Sequence, residues 1–444
     1  MTLERVQQTL AAPIQRWRED GLFQTSLWGL ADQALISVAN FLTMVLLARA
    51  LSPTGLGSFV IVYTGLLFAA TLQAAMITRP HNILGAALQG DDYVRHTTAT
   101  AVSQVAFATA AALIAIGSAT AIHVLRWSFS PLLLALAPAL AAWQMQEFFR
   151  QVMYTRRRVS QAFANDLISY GGQVGVLIAI WRLGALSGPN ALYVLAGTSA
   201  LAAAVGLWQI RADLGRALSW RPIARNWAFA KWLLGANLAS WVSDQAYPLF
   251  TAAIVGVAAT AALRAVQNLV APAHVVLNAF QTLATPRASA EYGRGGKRAL
   301  VAFLALASLL AIAPLLVYWL TVGFLGRQLL TLLYSGRYTE YAPLVWLFSL
   351  GYLVLHVTQA LSIGLMAIHK TRAIFYGRLA AIVVTFSGGI GLVWAFGVYG
   401  ALLGSILTGV TFTAVLSYHF WKEAMQPAPG VSAPAIPALA ETPG

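Results

Sequence analysis

Twelve stretches of this 444-residue chain are each long and apolar enough to cross a bilayer, and nothing else in the sequence limits the fold so strongly. A hydrocarbon core about 30 Å thick is spanned by a helix of about 20 apolar residues. Within it, each backbone amide must find its partner inside its own segment. The stretches are 26–48, 57–78, 98–122, 131–149, 165–182, 190–210, 229–256, 261–284, 299–322, 341–368, 373–395 and 399–420. Hydrophobic residues make up 59% of the chain and charged residues only 9%, against about 25% charged in a soluble domain. The expected fold is an all-α polytopic membrane protein.

Charge then sets an orientation. The formal net charge of +14 would suggest nucleic acid in a soluble chain. Here it is accounted for by loops facing the cytoplasm, and no nucleic-acid partner is implied. Of the 28 Lys and Arg, all but Arg49, Arg126, Arg182, Arg264, Arg327 and Arg337 lie at the termini, in the even-to-odd loops or at the adjoining helix ends. Both termini are therefore expected in the cytoplasm. Residues 1–25 are too polar for a secretory signal and read as an amphipathic segment on the membrane surface. Six spans follow in 26–211, then a basic linker at 212–228, six more spans in 229–420, and a Pro/Ala-rich tail at 421–444. A six-span repeat is parallel, which implies two bundles related by an axis along the membrane normal. On the far side the longest loop surrounds "GFLGRQLLTLLYSGRYTE".

Enzymatic classes find no support. There is no cysteine, and so no disulfide or thiolate metal site. The seven His are scattered singly, and no phosphate-binding loop occurs. Neither a cofactor nor a metal is expected.

The polar residues inside the spans carry the functional reading. On the first span Asp32, Gln33, Asn40 and Thr43 fall within about 100° of one another on a helical wheel. On the seventh, Asn237, Ser240, Asp244, Tyr247 and Thr251 share one face, with Pro248 expected to kink it. The eighth carries Arg264, Gln267, Asn268, His274, Asn278, Gln281 and Thr285; the tenth Tyr352, His356 and Gln359; the eleventh Arg378. Asn, Gln and Ser alone could be inter-helix hydrogen-bonding residues. Intramembrane charges instead line aqueous paths, so a water-filled cavity between helices is expected. Arg79, beside His81, stands at its cytoplasmic mouth, where it can equally act as a membrane anchor. In "EFFRQVMYTRRR", Glu147 and Arg150 are spaced to pair at i, i+3, while Arg156, Arg157 and Arg158 meet anionic head groups.

Four segments together resemble the polysaccharide flippases, which move lipid-linked oligosaccharides of O-antigen and exopolysaccharide pathways. "LLARALSPTGLGSFVIV" (46–62) is similar to their first loop and "QEFFRQVMYTRRRVSQAFANDL" (146–167) to their 4–5 loop. "KWLLGANLASWVSDQAYPLFTAAIVG" (231–256) is similar to the start of their second half, and "LLYSGRYTEYAPLVWLF" (332–348) to their approach to the tenth span. At the seventh-to-eighth connection the chain departs from the family, with "ALRAV" (262–266). The resemblance implies the multidrug/oligosaccharidyl-lipid/polysaccharide exporter superfamily: two six-helix bundles around a central cavity, working by alternating access. It implies a bacterial inner-membrane protein that translocates undecaprenyl-pyrophosphate-linked oligosaccharide. Membrane lipid, a polysaccharide polymerase and export machinery would be its partners. An anionic pyrophosphate suits a cavity containing Arg264 and Arg378, with Arg79 at the mouth. The sugars suit His274, Asn268, Gln267, Asn278, His356 and Gln359. For Asp32 and Asp244 two roles stay open: uptake of a coupling ion, H⁺ or Na⁺, or an ion pair with a cavity arginine. Two other readings compete, a multidrug and toxin extrusion cation antiporter and a non-transporting membrane subunit of a polysaccharide synthase.

Overall fold

The computed structural model describes residues 22–124, 130–216 and 219–425. Most of the amphipathic segment expected at 1–25 and most of the tail at 421–444 lie outside these residues, as does Arg126. The described chain is helical throughout, with no strand among the described residues. Its helices are α1 (Leu22–Ala50), α2 (Pro53–Gly85), α3 (Gly90–Val124), α4 (Ser130–Thr155), α5 (Val159–Arg182) and α6 (Gly188–Gln209) in the first half. The second half holds α7 (Trp220–Phe250), α8 (Val257–Val270), α9 (Ala273–Phe324), α10 (Gly326–Tyr334), α11 (Leu344–Ala367) and α12 (Thr371–Glu423). Among the described residues nine of these, α1–α6, α9, α11 and α12, are long and apolar enough to span a membrane; Gln245–Val255 and α8 are shorter apolar helices.

Local signals fix the helix ends. Ser52 caps α2 by accepting from the Gly55 amide at 3.1 Å, with Pro53 in the first turn. Ser187 does the same for α6 through the Asn190 amide at 3.3 Å, with Pro189 following. Proline fits there because the first-turn amide has no intrahelical partner. Two helices exceed 50 residues and are each folded back by glycine. Gly296 (φ 63°) interrupts α9 and Gly397 (φ 55°) interrupts α12, a backbone region that side-chain-bearing residues avoid. Each of these helices therefore makes two passes. The eighth pass is itself broken near Pro272, where α8 ends and α9 begins. Pro248 lies within α7 and is followed by a π-helical turn at Thr251–Val255.

The two halves assemble alike. In the first bundle α4 packs between α3 and α6; in the second, α11, six passes later, packs between α9 and α12. The cores are rich in large side chains: Phe148, Phe149 and Met153 in one, Phe280, Phe412 and Phe420 in the other. The architecture is two six-helix bundles. They meet where α8 lies along α2 and where α7 crosses the π turn of α2 at Ala74–Thr78. The buried face of α8 includes Ala259, Ala261, Ala262 and Ala265. At Gly57 a side chain would run into the Val257 carbonyl. Small residues of this kind let backbones approach closely in a bilayer, where lipid tails are as apolar as leucine and dispersion has to hold helices together.

One expected loop is instead a helix. The segment around 323–340 folds as α10, an amphipathic helix of nine residues. It is pinned to the second bundle by Tyr334, whose hydroxyl donates to the Ala265 carbonyl at 3.2 Å.

Candidate functional site

A cavity of about 150 Å³ opens among α1, α2, α5 and α6 of the first bundle, and α8 of the second closes it with Arg264. Its polar lining comes from both: Asn40 and Thr43 of α1, Tyr63 of α2, Gln173 of α5 and Arg264 of α8, against Met44, Phe59 and Leu67. Gln173 donates to the Thr43 hydroxyl at 3.1 Å. Arg264 is the charged residue of this lining, and its guanidinium donates to Gln267 Oε1 at 3.0 Å. Among the described residues it forms no ion pair. Tyr63 shares the cavity lining with it. The result is a cation in a neutral setting of hydroxyls and amides. Such a setting favours an anion, because the guanidinium has donors to spare and no carboxylate among the described residues competes for them.

The other residues singled out by the sequence separate into three places. Near the cavity, Asn268 donates to the Phe41 carbonyl at 3.3 Å and to the Tyr334 hydroxyl at 3.1 Å, joining α8 to α1 and α10. His274 stacks edge-on against Tyr352, with centroids 4.8 Å apart, and Asn278 is exposed. At the mouth, Arg79 donates to Asn237 Oδ1 at 3.2 Å, bridging α2 and α7. Inside the second bundle, His356 is buried and donates to the Ser308 carbonyl at 3.2 Å. Arg378 lies over the Phe412 ring at 4.6 Å, and Gln359 is half-buried. Neither His356, Gln359 nor Arg378 lines the cavity. For these three the expectation of a shared cavity face gives way to helix packing. The backbone of α9 covers the face of His356, and the second pass of α12 covers Arg378 through Phe412, faces that a single-helix wheel leaves open. The side chain of Asp244 lies outside the described residues.

Asp32 is the clearest departure. Its face was expected to be wet, with a cavity arginine as one possible partner. Asp32 is instead fully buried within the first bundle. Its Oδ2 accepts from Arg150 at 3.2 Å and from the Tyr154 hydroxyl at 2.5 Å. Arg150 also pairs with Glu147 and with Asp166, each at 2.7 Å. Asp166 accepts from Gln146 at 2.7 Å, and Gln146 also donates to Asn165 at 3.1 Å. Three carboxylates therefore surround one guanidinium, and Asp32 Oδ1 has no hydrogen-bond partner. Of this network only the local Glu147–Arg150 spacing could be read in advance. Asp166 sits in "FANDL", whose helix face is not defined until the π turn at Leu167–Gly171 is known.

No protein-family model matches the chain, and no curated protein matches it. Solved structures do. The lipid II flippase MurJ in an inward closed conformation superposes with a TM-score of 0.67, covering 88% of this chain and 87% of that one at 12% identity. A MOP superfamily transporter from Pyrococcus furiosus gives 0.65 over 91% of this chain and 95% of that one, at 11% identity. The chain has the fold of the MOP superfamily transporters. A multidrug resistance MATE family transporter of the same superfamily, in its outward-facing conformation, gives 0.63 over the same shares at 11% identity. Structures with this fold include both a lipid II flippase and MATE transporters.

Proposed function

We propose that this protein is a flippase for undecaprenyl-pyrophosphate-linked oligosaccharide in the inner membrane, with both termini in the cytoplasm, serving polysaccharide assembly alongside a polymerase and export machinery. The observation that carries this reading is Arg264, a cation of the second bundle with no carboxylate partner among the described residues, facing a neutral cavity lined otherwise by the first bundle. A pyrophosphate offers the oxygens that a guanidinium fork engages. The lipid chain stays in the bilayer while the head group passes. The lipid II flippase among the structural neighbours is consistent with a lipid-linked substrate. The MATE neighbours favour a second reading, export of cationic drugs. An arginine with no counter-charge among the described residues of the cavity lining opposes it, since like charges in a low-dielectric site repel.

At about 150 Å³ the cavity holds several water molecules and no oligosaccharide. Transport therefore requires the bundles to separate. Coupling of that movement to an ion gradient falls to the Asp32–Arg150–Asp166–Glu147 network. With all four groups ionised it would carry two uncompensated negative charges in a buried place. This favours uptake of H⁺ or Na⁺ beside the unpartnered Asp32 oxygen. The test of the main reading is flipping of a fluorescent pyrophosphate-linked oligosaccharide in proteoliposomes. Arg264→Gln should lower the rate at least tenfold, and Arg264→Lys should retain part of it. Wild-type flipping by Arg264→Gln would remove this residue from the substrate path.

A further inference from the structure

At the end of the molecule where α1 joins α2, two arginines from opposite bundles cap each other's helices. Arg49, in the last turn of α1, donates through Nε to the Leu333 carbonyl at 2.7 Å and through Nη2 to the Leu332 carbonyl. Both carbonyls belong to the last turn of α10. Arg337, three residues beyond α10, donates to the Leu51 carbonyl at 2.5 Å and to the Ala48 carbonyl at 3.3 Å, at the end of α1. The last carbonyls of a helix have no intrahelical donor and carry the negative end of the helix dipole. Each guanidinium therefore satisfies two orphan acceptors on the other bundle. Backbone conformation makes the reciprocity possible. Ser335 (φ 54°) and Gly336 (φ 81°) are both left-handed, and they turn the chain so that Arg337 comes back to α1. On its own side α10 is held by Tyr334, which donates to the Ala265 carbonyl and packs edge-on against buried Tyr338 at 5.7 Å.

We propose that Arg49 and Arg337 form a two-way clasp that shuts the transport path at the α1–α2 end, and that opening toward that side requires both to release together. The proposal rests on the transporter reading, though not on the identity of the substrate. Three observations support it. The clasp joins the first bundle to the second within the same end of the molecule as the Gly57–Val257 backbone contact, and the cavity lies inward of both. Neither arginine forms an ion pair among the described residues. The acceptors are neutral carbonyls at helix ends, so a released clasp leaves no buried carboxylate behind, and both arginines and carbonyls can be taken up by water. A buried ion pair would resist opening much more strongly, because separation would strand a charge. The arrangement suits a contact that must form and break in each cycle.

The chain has no cysteine, so Asn40→Cys, within the cavity lining, provides the one reactive thiol. Its labelling by a membrane-impermeant maleimide is measured in sealed vesicles with the α1–α2 side outward. Arg49→Gln or Arg337→Gln should raise the rate about tenfold, the effect of losing one charge-assisted hydrogen bond from the closed state. The double variant should add little to either single change, since the clasp opens as a unit. Unchanged labelling in the double variant would overturn the proposal. Should the glutamine variants fail to fold, a chain retaining both arginines decides the matter. A short cleavable bismaleimide joining cysteines placed at Ala50 and Leu332 should stop flipping, and cleavage should restore it. Flipping at full rate while cross-linked would overturn the clasp. The labelling readout needs no substrate. A failed Arg264 experiment with positive labelling would therefore reject the substrate reading and leave the clasp intact.

Discussion

Replacing Arg150 by Met exposes the energetics of the first bundle most directly. The side chain is nine-tenths buried and, among the described residues, is the only cation paired with Asp32, Glu147 and Asp166, at 3.2, 2.7 and 2.7 Å. Met keeps the aliphatic length and removes the charge. Two buried carboxylates, Asp32 and Asp166, and the half-buried Glu147 are then left to face one another, and the loss of one partner from a buried ion pair is worth about 3–5 kcal/mol. The upper end of that range applies here, because the same guanidinium serves all three. Asp32 keeps the Tyr154 hydroxyl at 2.5 Å and Asp166 keeps Gln146 at 2.7 Å, so the bundle weakens without losing every contact of the network. Fluorescence-detected thermal unfolding of the purified protein in detergent measures the effect, with the amount of membrane-inserted protein as a second readout. Arg150→Met combined with Asp32→Asn and Asp166→Asn should recover at least half of the lost stability, because the stranded charges leave together. An Arg150→Met protein that melts at the wild-type temperature, or a triple variant no more stable than the single, would refute the argument from uncompensated charge.

The remaining expectations are more local. Gly57→Leu places a side chain against the Val257 carbonyl; it should destabilise the protein by about 1–3 kcal/mol, read as earlier thermal unfolding, and wild-type stability would mean that α2 and α8 can part freely there. Tyr247→Phe removes the hydroxyl that contacts Thr408 Oγ1 at 2.6 Å. The loss should be about 1 kcal/mol, at the low end because Thr408 keeps Thr385 at 3.1 Å. A cysteine in place of Arg157 should be labelled from the cytoplasmic side only; labelling exclusively from the opposite face would invert the topology inferred from Lys and Arg.

Much of the architecture could be read from hydropathy and punctuation. The turn regions between the eighth and ninth spans and between the eleventh and twelfth were placed where Gly296 and Gly397 fold α9 and α12 back. Asn40, Thr43 and Arg264 were picked out by helical periodicity, and all three line the cavity. Periodicity fails where a residue's environment is set by a distant helix. Asp32 meets Arg150 across 118 positions of sequence, and no local pattern distinguishes a buried partner from open water. The same limit explains Arg378 and His356, whose polar faces are covered by Phe412 and by the backbone at Ser308. Gln173 was invisible for another reason: the π turn at Leu167–Gly171 adds a residue to the helical repeat before it. The nine residues of α10 are too few for a span and too apolar for a loop, and only their packing beneath Tyr334 and Tyr338 defines them as a helix.

The alanine-rich face of α8 bears on which motions this molecule makes easily. A buried leucine touches its surroundings through some 40–60 atom pairs, each worth about 0.1–0.2 kcal/mol of dispersion; an alanine has a single methyl with which to do so. Within each bundle, phenylalanine, methionine and leucine interlock α4 and α11 with their neighbours. Along the junction, Ala259, Ala261, Ala262 and Ala265 bring α8 close to α2, while Leu263, Val266 and Leu269 share one apolar cluster with Leu56, Phe59 and Leu66. Shear inside a bundle forces large side chains past one another along the whole helix, whereas tilting one bundle against the other displaces least the atoms nearest the line of closest approach. The α2–α8 line, where Gly57 and the alanines bring the backbones together, is therefore the axis about which one half can rock with the least movement of the larger side chains beside it.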